Sequence, residues 1–316
     1  MKKKLFWGLL GVFLGISLLA AVAGNLNLAY IAGTYNLYVL DLNNFKFIAR
    51  LPLSSPAKDI AILPEGTFAY LAHPDTGSVS RINTSKLRVS KKIKVGVTCA
   101  NLAMNTRGSR LLVSDTNGKN KVVAIDTLTD KVVGTAMVGI TPNDVIVSLD
   151  DKFAFVANSG SRTISRIRLS DYKVLDDLPI GQNPQYLAVN PDNSYLVCPC
   201  YSSDDAYVIK TKDFALQKVL NKLEGPSDAA FDPWGKYLFI TSYWGYKLKV
   251  YTADNLKLYR EISLKGKPSR VLVNPNRKHI YVILDDHRLQ VINLQNFALE
   301  RQISFPENIY ALVIRK

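Results

Sequence analysis

The feature that most constrains this chain is an internal repeat of about 42 residues. Short apolar runs, most of which end in a small or polar residue, recur at intervals of 40 to 43 residues. The seven runs begin at Ala29, Ala69, Leu111, Ala154, Tyr195, Leu238 and Ile280. A fixed period of this length is typical of propellers and solenoids, in which each repeat folds as one unit against its neighbours.

Each repeat contains four short segments with alternating apolar residues, for example residues 122–126, 131–135 and 145–147 around one of the runs. Turn residues separate them, as at 190–193 and 232–235, where Pro presets φ and Asn, Asp or Gly tolerates a turn. Period-2 alternation without helical periodicity indicates strands. The chain is therefore predicted to be all-β, a seven-bladed β-propeller of four-stranded blades.

The two ends of the pattern predict how the ring closes. The β structure begins with the second type of strand, at residues 28–32, whereas an unpartnered segment of the innermost type, residues 308–314, ends the chain. We therefore expect blade 1 to be closed by the C-terminal strand, which would join three N-terminal strands and leave no long free edge.

The repeated runs also carry a family resemblance. The series that includes Tyr30-Ile-Ala-Gly33, Tyr70-Leu-Ala-His73 and Phe155-Val-Ala-Asn158 resembles the YVTN-type β-propeller repeats of exported and surface-layer proteins, over residues 25–316. The resemblance implies the propeller fold and a range of functions, from non-catalytic surface and binding proteins to subunits of redox enzymes and sugar lactonases. The family's Asn at the fourth position is kept only as Asn158.

The N-terminus predicts export. Three lysines at positions 2–4 precede an uncharged apolar run at 5–23 that ends Ala-Val-Ala. This order is that of a signal peptide, although the run is also long enough for a membrane anchor. Residues 1–23 are thus a signal peptide or N-terminal anchor, and 24–316 the propeller. We expect a periplasmic, cell-surface or secreted protein, anchored in the cytoplasmic membrane by residues 5–23 if the segment is not cleaved.

Composition narrows the class of protein. Forty Lys and Arg against 26 Asp and Glu give a net charge of +14, which disfavours a cationic partner and permits an anionic one. Three cysteines exclude a disulfide scaffold, and no zinc, haem, phosphate-loop or nucleophile-elbow motif is present. We therefore expect no metal and no cofactor, and favour a protein that is not an enzyme.

The innermost strands supply one set of candidate site residues at the channel. The polar residues there include Asp59, Asp144, Asp228 and Arg270. Carboxylates at a channel mouth could orient a polar ligand or hold a cation. The alternative is that each Asp caps backbone N–H groups of its own turn, which is a common role for this residue.

The loops that follow the second strands supply an aromatic set. Its members are Tyr35, Tyr201, Tyr243, Trp244 and Tyr246. Because these loops share a face with the corners before the innermost strands, the rings are predicted to form a platform for a ligand near the channel. The alternative is that they cap the blades by packing.

Blade 2 carries a basic run without an intervening acidic residue. Its members are Arg81, Lys86, Arg88, Lys91, Lys92 and Lys94. The run could meet an anionic polymer, a membrane surface or, less favoured, nucleic acid. Lysines on an outermost strand also prevent edge-to-edge pairing, which is the alternative reading.

The sequence thus favours an exported, non-catalytic propeller that binds or scaffolds a partner on its channel-mouth face. That partner is a protein, a glycan or a small polar ligand. Two alternatives stay open: a propeller enzyme resembling a lactonase-like hydrolase or a quinone-dependent dehydrogenase, and a binder of anionic polymers or nucleic acid. The thiols of Cys198 and Cys200 are expected to be either buried or bridged, and that of Cys99 to be free.

Overall fold

A computed structural model describes residues 27–315 apart from 97, 117 and 275–277. The predicted signal peptide or anchor, residues 1–23, lies outside the described residues. The described part of the chain forms 28 β-strands in seven four-stranded antiparallel sheets, together with one short 3-10 helix at Pro74–Thr76. No helix among the described residues is long and apolar enough to cross a membrane. The predicted seven-bladed propeller is confirmed.

Each blade has an innermost strand and a second strand that pairs with it. The innermost strands of blades 1 to 7 are β28 (Ile309–Ile314), β4 (Asp59–Ile62), β8 (Cys99–Met104), β12 (Pro142–Val147), β16 (Ala188–Val189), β20 (Pro226–Phe231) and β24 (Pro268–Val273). The second strands are β1 (Leu28–Gly33), β5 (Phe68–His73), β9 (Arg110–Asp115), β13 (Phe153–Asn158), β17 (Tyr195–Cys200), β21 (Tyr237–Ser242) and β25 (His279–Leu284).

The third and outermost strands complete each blade in the same order. The third strands are β2 (Asn36–Asp41), β6 (Ser78–Asn83), β10 (Lys121–Asp126), β14 (Thr163–Arg168), β18 (Asp205–Lys210), β22 (Lys247–Thr252) and β26 (Arg288–Asn293). The outermost strands are β3 (Lys46–Pro52), β7 (Arg88–Lys94), β11 (Lys131–Met137), β15 (Lys173–Pro179), β19 (Ala215–Asn221), β23 (Leu258–Ser263) and β27 (Leu299–Ser304).

The core lies between neighbouring blades, not within a single sheet. The second strands are almost wholly buried, and their largest side chains, Tyr30, Tyr70, Phe155, Phe239 and Tyr281, have almost no exposed surface. One apolar cluster joins blade 2 to blade 3, and another joins blade 6 to blade 7. Because every sheet buries both faces against its neighbours, the innermost strands are held side by side around a central channel.

The closure of blade 1 agrees with the sequence prediction. Strand β28 pairs antiparallel with β1 from Ala29 opposite Ile314 to Ala32 opposite Ala311. The carboxylate of Glu307 adds a clasp, because it accepts hydrogen bonds from the Tyr35 backbone N–H at 2.8 Å and from the Tyr38 hydroxyl at 2.9 Å. The two ends of the chain are therefore joined by both backbone and side-chain contacts.

All three cysteines are buried free thiols. Burial raises the pKa of Cys99 to about 12. Because burial keeps the reagent away from all three thiols, we expect none to react with iodoacetamide in the native protein and all three to react after denaturation. Mass spectrometry after alkylation measures this directly. Rapid native labelling, or a disulfide that involves Cys99, would contradict the arrangement of blades 3 and 5.

Candidate functional site

Three buried carboxylates line the channel on alternate blades. Asp59, Asp144 and Asp228 lie on the innermost strands of blades 2, 4 and 6, and each is less than one-tenth exposed. Each accepts a hydrogen bond from a backbone N–H on the next blade. The donors are Leu102 at 2.8 Å, Leu187 at 2.8 Å and Val271 at 2.9 Å. These carboxylates therefore join neighbouring blades, which the sequence had not indicated. Asp228 also accepts a hydrogen bond from the N–H of Ala229 at 2.8 Å, the local contact that the capping alternative describes.

Arg270 supplies the cation of this channel cluster. Its Nε lies 3.2 Å from the Asp228 carboxylate, and its guanidinium lies 3.6 Å from the ring centroid of Tyr186. Burial lowers the pKa of Arg270, but Tyr186 and the three carboxylates outweigh that effect and raise the pKa overall. The guanidinium therefore stays charged and partly neutralises the carboxylates around it.

Burial raises the pKa of all three carboxylates in the cluster. Desolvation raises the pKa of Asp144 to about 7 and that of Asp228 to about 6, although Arg270 acts against both shifts. Burial also raises the pKa of Asp59. Across the described residues, no three His, Cys, Asp or Glu side chains are arranged to share a metal ion. The cluster is therefore an electrostatic link between blades that can change its charge near neutral pH.

A cavity of about 510 Å³ opens above this cluster at the channel mouth. The corners before the innermost strands and the loops after the second strands form its wall, as the sequence had predicted for this face. Its aromatic lining consists of Tyr186, Tyr201, Tyr243 and Tyr310. Its polar lining includes Asn183, Gln185, Ser227, Ser269 and Asn308, and its charged lining is Lys58, Arg270 and Asp285. Such a volume suits a ligand of small-molecule size.

The aromatic loop of blade 6 lies on one side of the cavity. The Tyr243 hydroxyl donates to the Asp285 carboxylate at 2.6 Å, and this hydrogen bond raises the pKa of Tyr243 to about 12. The ring of Tyr201 lies 5.7 Å from that of Tyr243. Trp244 lies 4.8 Å from Tyr243 at the rim and is 54% exposed. The ring of Trp244 packs so closely on Gly225 that a Cβ there would collide with it.

The structure brings only part of the predicted aromatic set together. Tyr201 and Tyr243 line the cavity and Trp244 stands at its rim, whereas Tyr35 and Tyr246 are exposed and do not line it. The backbone N–H of Tyr35 is instead bound by Glu307. Tyr246 adopts a left-handed φ of 54° in the loop.

Sequence reasoning missed most of the polar lining of the cavity, including Asp285, and two further residues that form a pair at its wall. Lys58 and Tyr310 lie on its wall, and the Lys58 ammonium is 4.2 Å from the ring centroid of Tyr310. The two residues occupy equivalent positions in their blades. Lys58 directly precedes Asp59, and Tyr310 directly precedes Ala311, whose place in the pairing with β1 corresponds to that of Asp144 in the pairing with β13. An alignment of the repeats at this position would have placed both side chains at the mouth.

Strand alternation divides the basic run of blade 2. Arg81 and Lys91 contact the buried carboxylate of Asp130 on blade 3 at 2.9 and 3.2 Å, whereas Lys92 reaches Ser54, in the connection between blades 1 and 2, at 2.6 Å. The remaining members, Lys86, Arg88 and Lys94, are exposed. The six cations therefore do not form a single face, and two of them already have a carboxylate partner. A contact with an anionic polymer remains a prediction.

The fold and this cavity define a seven-bladed β-propeller with a ligand-sized recess at its channel mouth. No family model matches the chain, so the finer resemblance to YVTN-type repeats stays a prediction. A curated relative, the seven-bladed β-propeller protein Rv1057 of Mycobacterium tuberculosis, is 26% identical over 142 residues. That alignment spans 43% of this chain and 36% of the relative.

Solved structures share the architecture at low sequence identity. Hydrazine synthase of Kuenenia stuttgartiensis matches with a TM-score of 0.72 and 19% identity, over 87% of this chain and 90% of that one. A functionally unknown protein from Desulfotomaculum acetoxidans has a TM-score of 0.83 and 10% identity, over 91% and 98%. The dihydro-heme d1 dehydrogenase NirN, in complex with DHE, has a TM-score of 0.67 and 18% identity, over 89% and 64%. These likenesses concern the fold alone.

Proposed function

We propose that this chain is an exported, non-catalytic binding protein whose channel-mouth cavity recognises a saccharide or another small polar ligand. The observation that carries the proposal is the cavity itself. Four tyrosines surround it, and amide and hydroxyl side chains lie between them. Aromatic faces pack against the C–H faces of sugar rings, and amides pair with hydroxyl groups, so the lining is complementary to a saccharide. Export is supported by the basic and apolar segments at the N-terminus.

The lining favours binding over covalent chemistry. Among the described residues of the lining, the one carboxylate is that of Asp285. It accepts a hydrogen bond from the Tyr243 hydroxyl, and the raised pKa of Tyr243 keeps that hydroxyl protonated. A tyrosine in this state serves as a hydrogen-bond donor and not as a base. Arg270 is held by Asp228 at the floor of the cavity, where its position is fixed before a ligand arrives.

Screening the full chain on an array of saccharides and small polar metabolites tests the binding function. We expect a ligand whose affinity falls when Tyr201 or Tyr243 is changed to Ala. Tyr259→Ala is the matched control, because Tyr259 is 56% exposed on the outermost strand of blade 6. Binding that is equally sensitive to Tyr259→Ala, or no binding to any probe, would refute the proposal.

The rim residue Trp244 separates recognition from packing. Since its ring is more than half exposed, Trp244→Ala should change the melting temperature little, whereas it should weaken binding by about 2 kcal/mol if a ligand packs on the ring at the rim. Both quantities are measured on the same variant, by calorimetry and by titration with the best probe from the array. A lower melting temperature with unchanged affinity would limit Trp244 to packing on Gly225.

A propeller enzyme is the second candidate. Two of the similar structures are named as enzymes, a hydrazine synthase and a dihydro-heme d1 dehydrogenase. Incubating the protein with each bound probe, followed by mass spectrometry of the probe, distinguishes the candidates. Recovery of unchanged ligand supports a binding protein, whereas a new product that Tyr243→Ala abolishes supports catalysis.

A further inference from the structure

Three cations at the channel mouth lie over aromatic rings. The pairs are Lys58 with Tyr310 at 4.2 Å, Lys267 with Trp244 at 4.5 Å, and Arg270 with Tyr186 at 3.6 Å, each measured to the ring centroid. A cation over a ring face is attracted electrostatically, so these contacts hold the positive groups beside the aromatic surfaces of the cavity. Positive charge and aromatic surface are therefore presented together.

The two lysines of this set have no acidic partner in the described part of the chain. Arg270 pairs with Asp228, but no carboxylate oxygen of a described residue lies within 4.0 Å of either lysine ammonium. The nearby lining carboxylate, Asp285, already accepts the hydroxyl of Tyr243. The Lys58 ammonium on the cavity wall is therefore available to a ligand, as is that of Lys267 at the rim, which lies 5.1 Å from the ring centroid of Tyr243.

A neutral ligand would cover these ammonium groups without replacing the water that solvates them, which is unfavourable. A negatively charged ligand compensates for that loss by pairing directly with the ammonium groups, and the net charge of +14 on the chain favours its approach. We infer that the channel-mouth cavity binds an anionic saccharide, with negative groups at Lys58 on its wall and at Lys267 on its rim, and with its sugar rings on the tyrosine faces. This inference rests on the binding function proposed above and adds the charge of the ligand.

An ammonium group binds either a carboxylate or a phosphate, because it acts as a compact point charge. The probes are therefore trigalacturonate, its neutral methyl ester and galactose 1-phosphate. They are titrated into the full chain by calorimetry at low and moderate salt. Trigalacturonate should bind about tenfold more tightly than its methyl ester, and the difference should shrink as salt screens the lysines.

The variant Lys58→Met/Lys267→Met should lose about tenfold in affinity for trigalacturonate and little for the ester. Its melting temperature should match that of the parent, since Lys58 is exposed and Lys267 is only half-buried. The matched control is Lys92→Met/Lys94→Met, which removes the same charge from the outermost strand of blade 2 and should leave affinity unchanged. This control also tests the basic run as an anion site.

Each result bears on the inference. Equal affinity for acid and ester, or an acid affinity unchanged in Lys58→Met/Lys267→Met, would overturn the anionic ligand while leaving a neutral saccharide site intact. Binding of galactose 1-phosphate alone, with the same dependence on the lysines, supports the cation site with phosphate as its anion. Loss of affinity in Lys92→Met/Lys94→Met only would move anion binding to blade 2. Failure of all three probes overturns the inference.

Discussion

Removal of residues 307–316 is expected to destabilise the protein by more than about 5 kcal/mol, the largest effect of any change considered. The deletion takes away the whole of β28, whose apolar residues Ile309, Leu312 and Ile314 are all less than one-tenth exposed. It also leaves the backbone groups of β1 without their ladder partner and removes the Glu307 clasp. An unpaired strand edge in the interior of a ring is open to aggregation.

Thermal and urea unfolding of the truncated chain measure this loss. A synthetic peptide of residues 307–316 is the control, because it should restore part of the stability if the lost strand alone is responsible. A truncated chain that unfolds at the same temperature and urea concentration as the parent would contradict closure through blade 1.

Arg270→Met is expected to cost about 3 to 5 kcal/mol near pH 8, because it leaves buried carboxylates without their cation. Asp228 loses a partner at 3.2 Å, and Asp59 and Asp144 lose a favourable charge. Methionine preserves much of the side-chain volume, so the loss is chiefly electrostatic. The cost should be much smaller near pH 5, where the carboxyl groups can take up protons.

The direction of this pH dependence follows from the raised pKa values. A carboxyl group whose pKa is higher in the folded than in the unfolded protein contributes stability that is present below its unfolded pKa and is lost as pH rises through its folded pKa. For the parent protein that loss should extend up to the pKa of Asp228, about 6, and that of Asp144, about 7. In Arg270→Met the loss of stability should extend to higher pH, because Arg270 lowers the pKa of both carboxyl groups.

Unfolding in urea near pH 5 and near pH 8 distinguishes charge from packing. The double change Arg270→Met/Asp228→Asn is the matched control and should recover part of the loss near pH 8. An equal cost at both pH values would mean that Arg270 stabilises the channel by packing on Tyr186 alone.

Residue preferences predict the left-handed backbone in one kind of turn of this propeller but not in another. After the innermost strands, left-handed backbone occurs at residues that tolerate it, namely Gly66, Gly108, Asp151, Asn193 and Gly235. After the third strands, left-handed backbone occurs instead at Phe45, Leu87, Asp130, Tyr172, Phe214, Leu256 and Phe297, with φ between 41° and 60°. The first kind follows from residue preference, whereas the second does not, apart from Asp130.

Burial explains the second kind of turn. A bulky residue in left-handed backbone costs about 1 to 3 kcal/mol. Leu87, Phe214, Leu256 and Phe297 are each less than one-tenth exposed in the clusters between blades, and burial of such a side chain contributes about 1.5 to 3 kcal/mol. The core position offsets the backbone cost. A sequence pattern cannot show this, because it does not reveal which turn residue reaches the neighbouring blade.

The sequence by itself determined the number of blades, the order of strands and the sharing of blade 1. Apolar residues alternate within each strand and the repeats recur about every 42 residues, and both periods can be read directly along the chain. Only the tertiary structure decided the site. The Asp144 carboxylate meets the N–H of Leu187, 43 positions away, and Tyr35 meets Glu307 across 272 positions. Such contacts depend on how the blades are spaced around the channel, which no local pattern encodes. The same spacing selects Tyr201 and Tyr243 for the cavity and leaves Tyr35 and Tyr246 outside it.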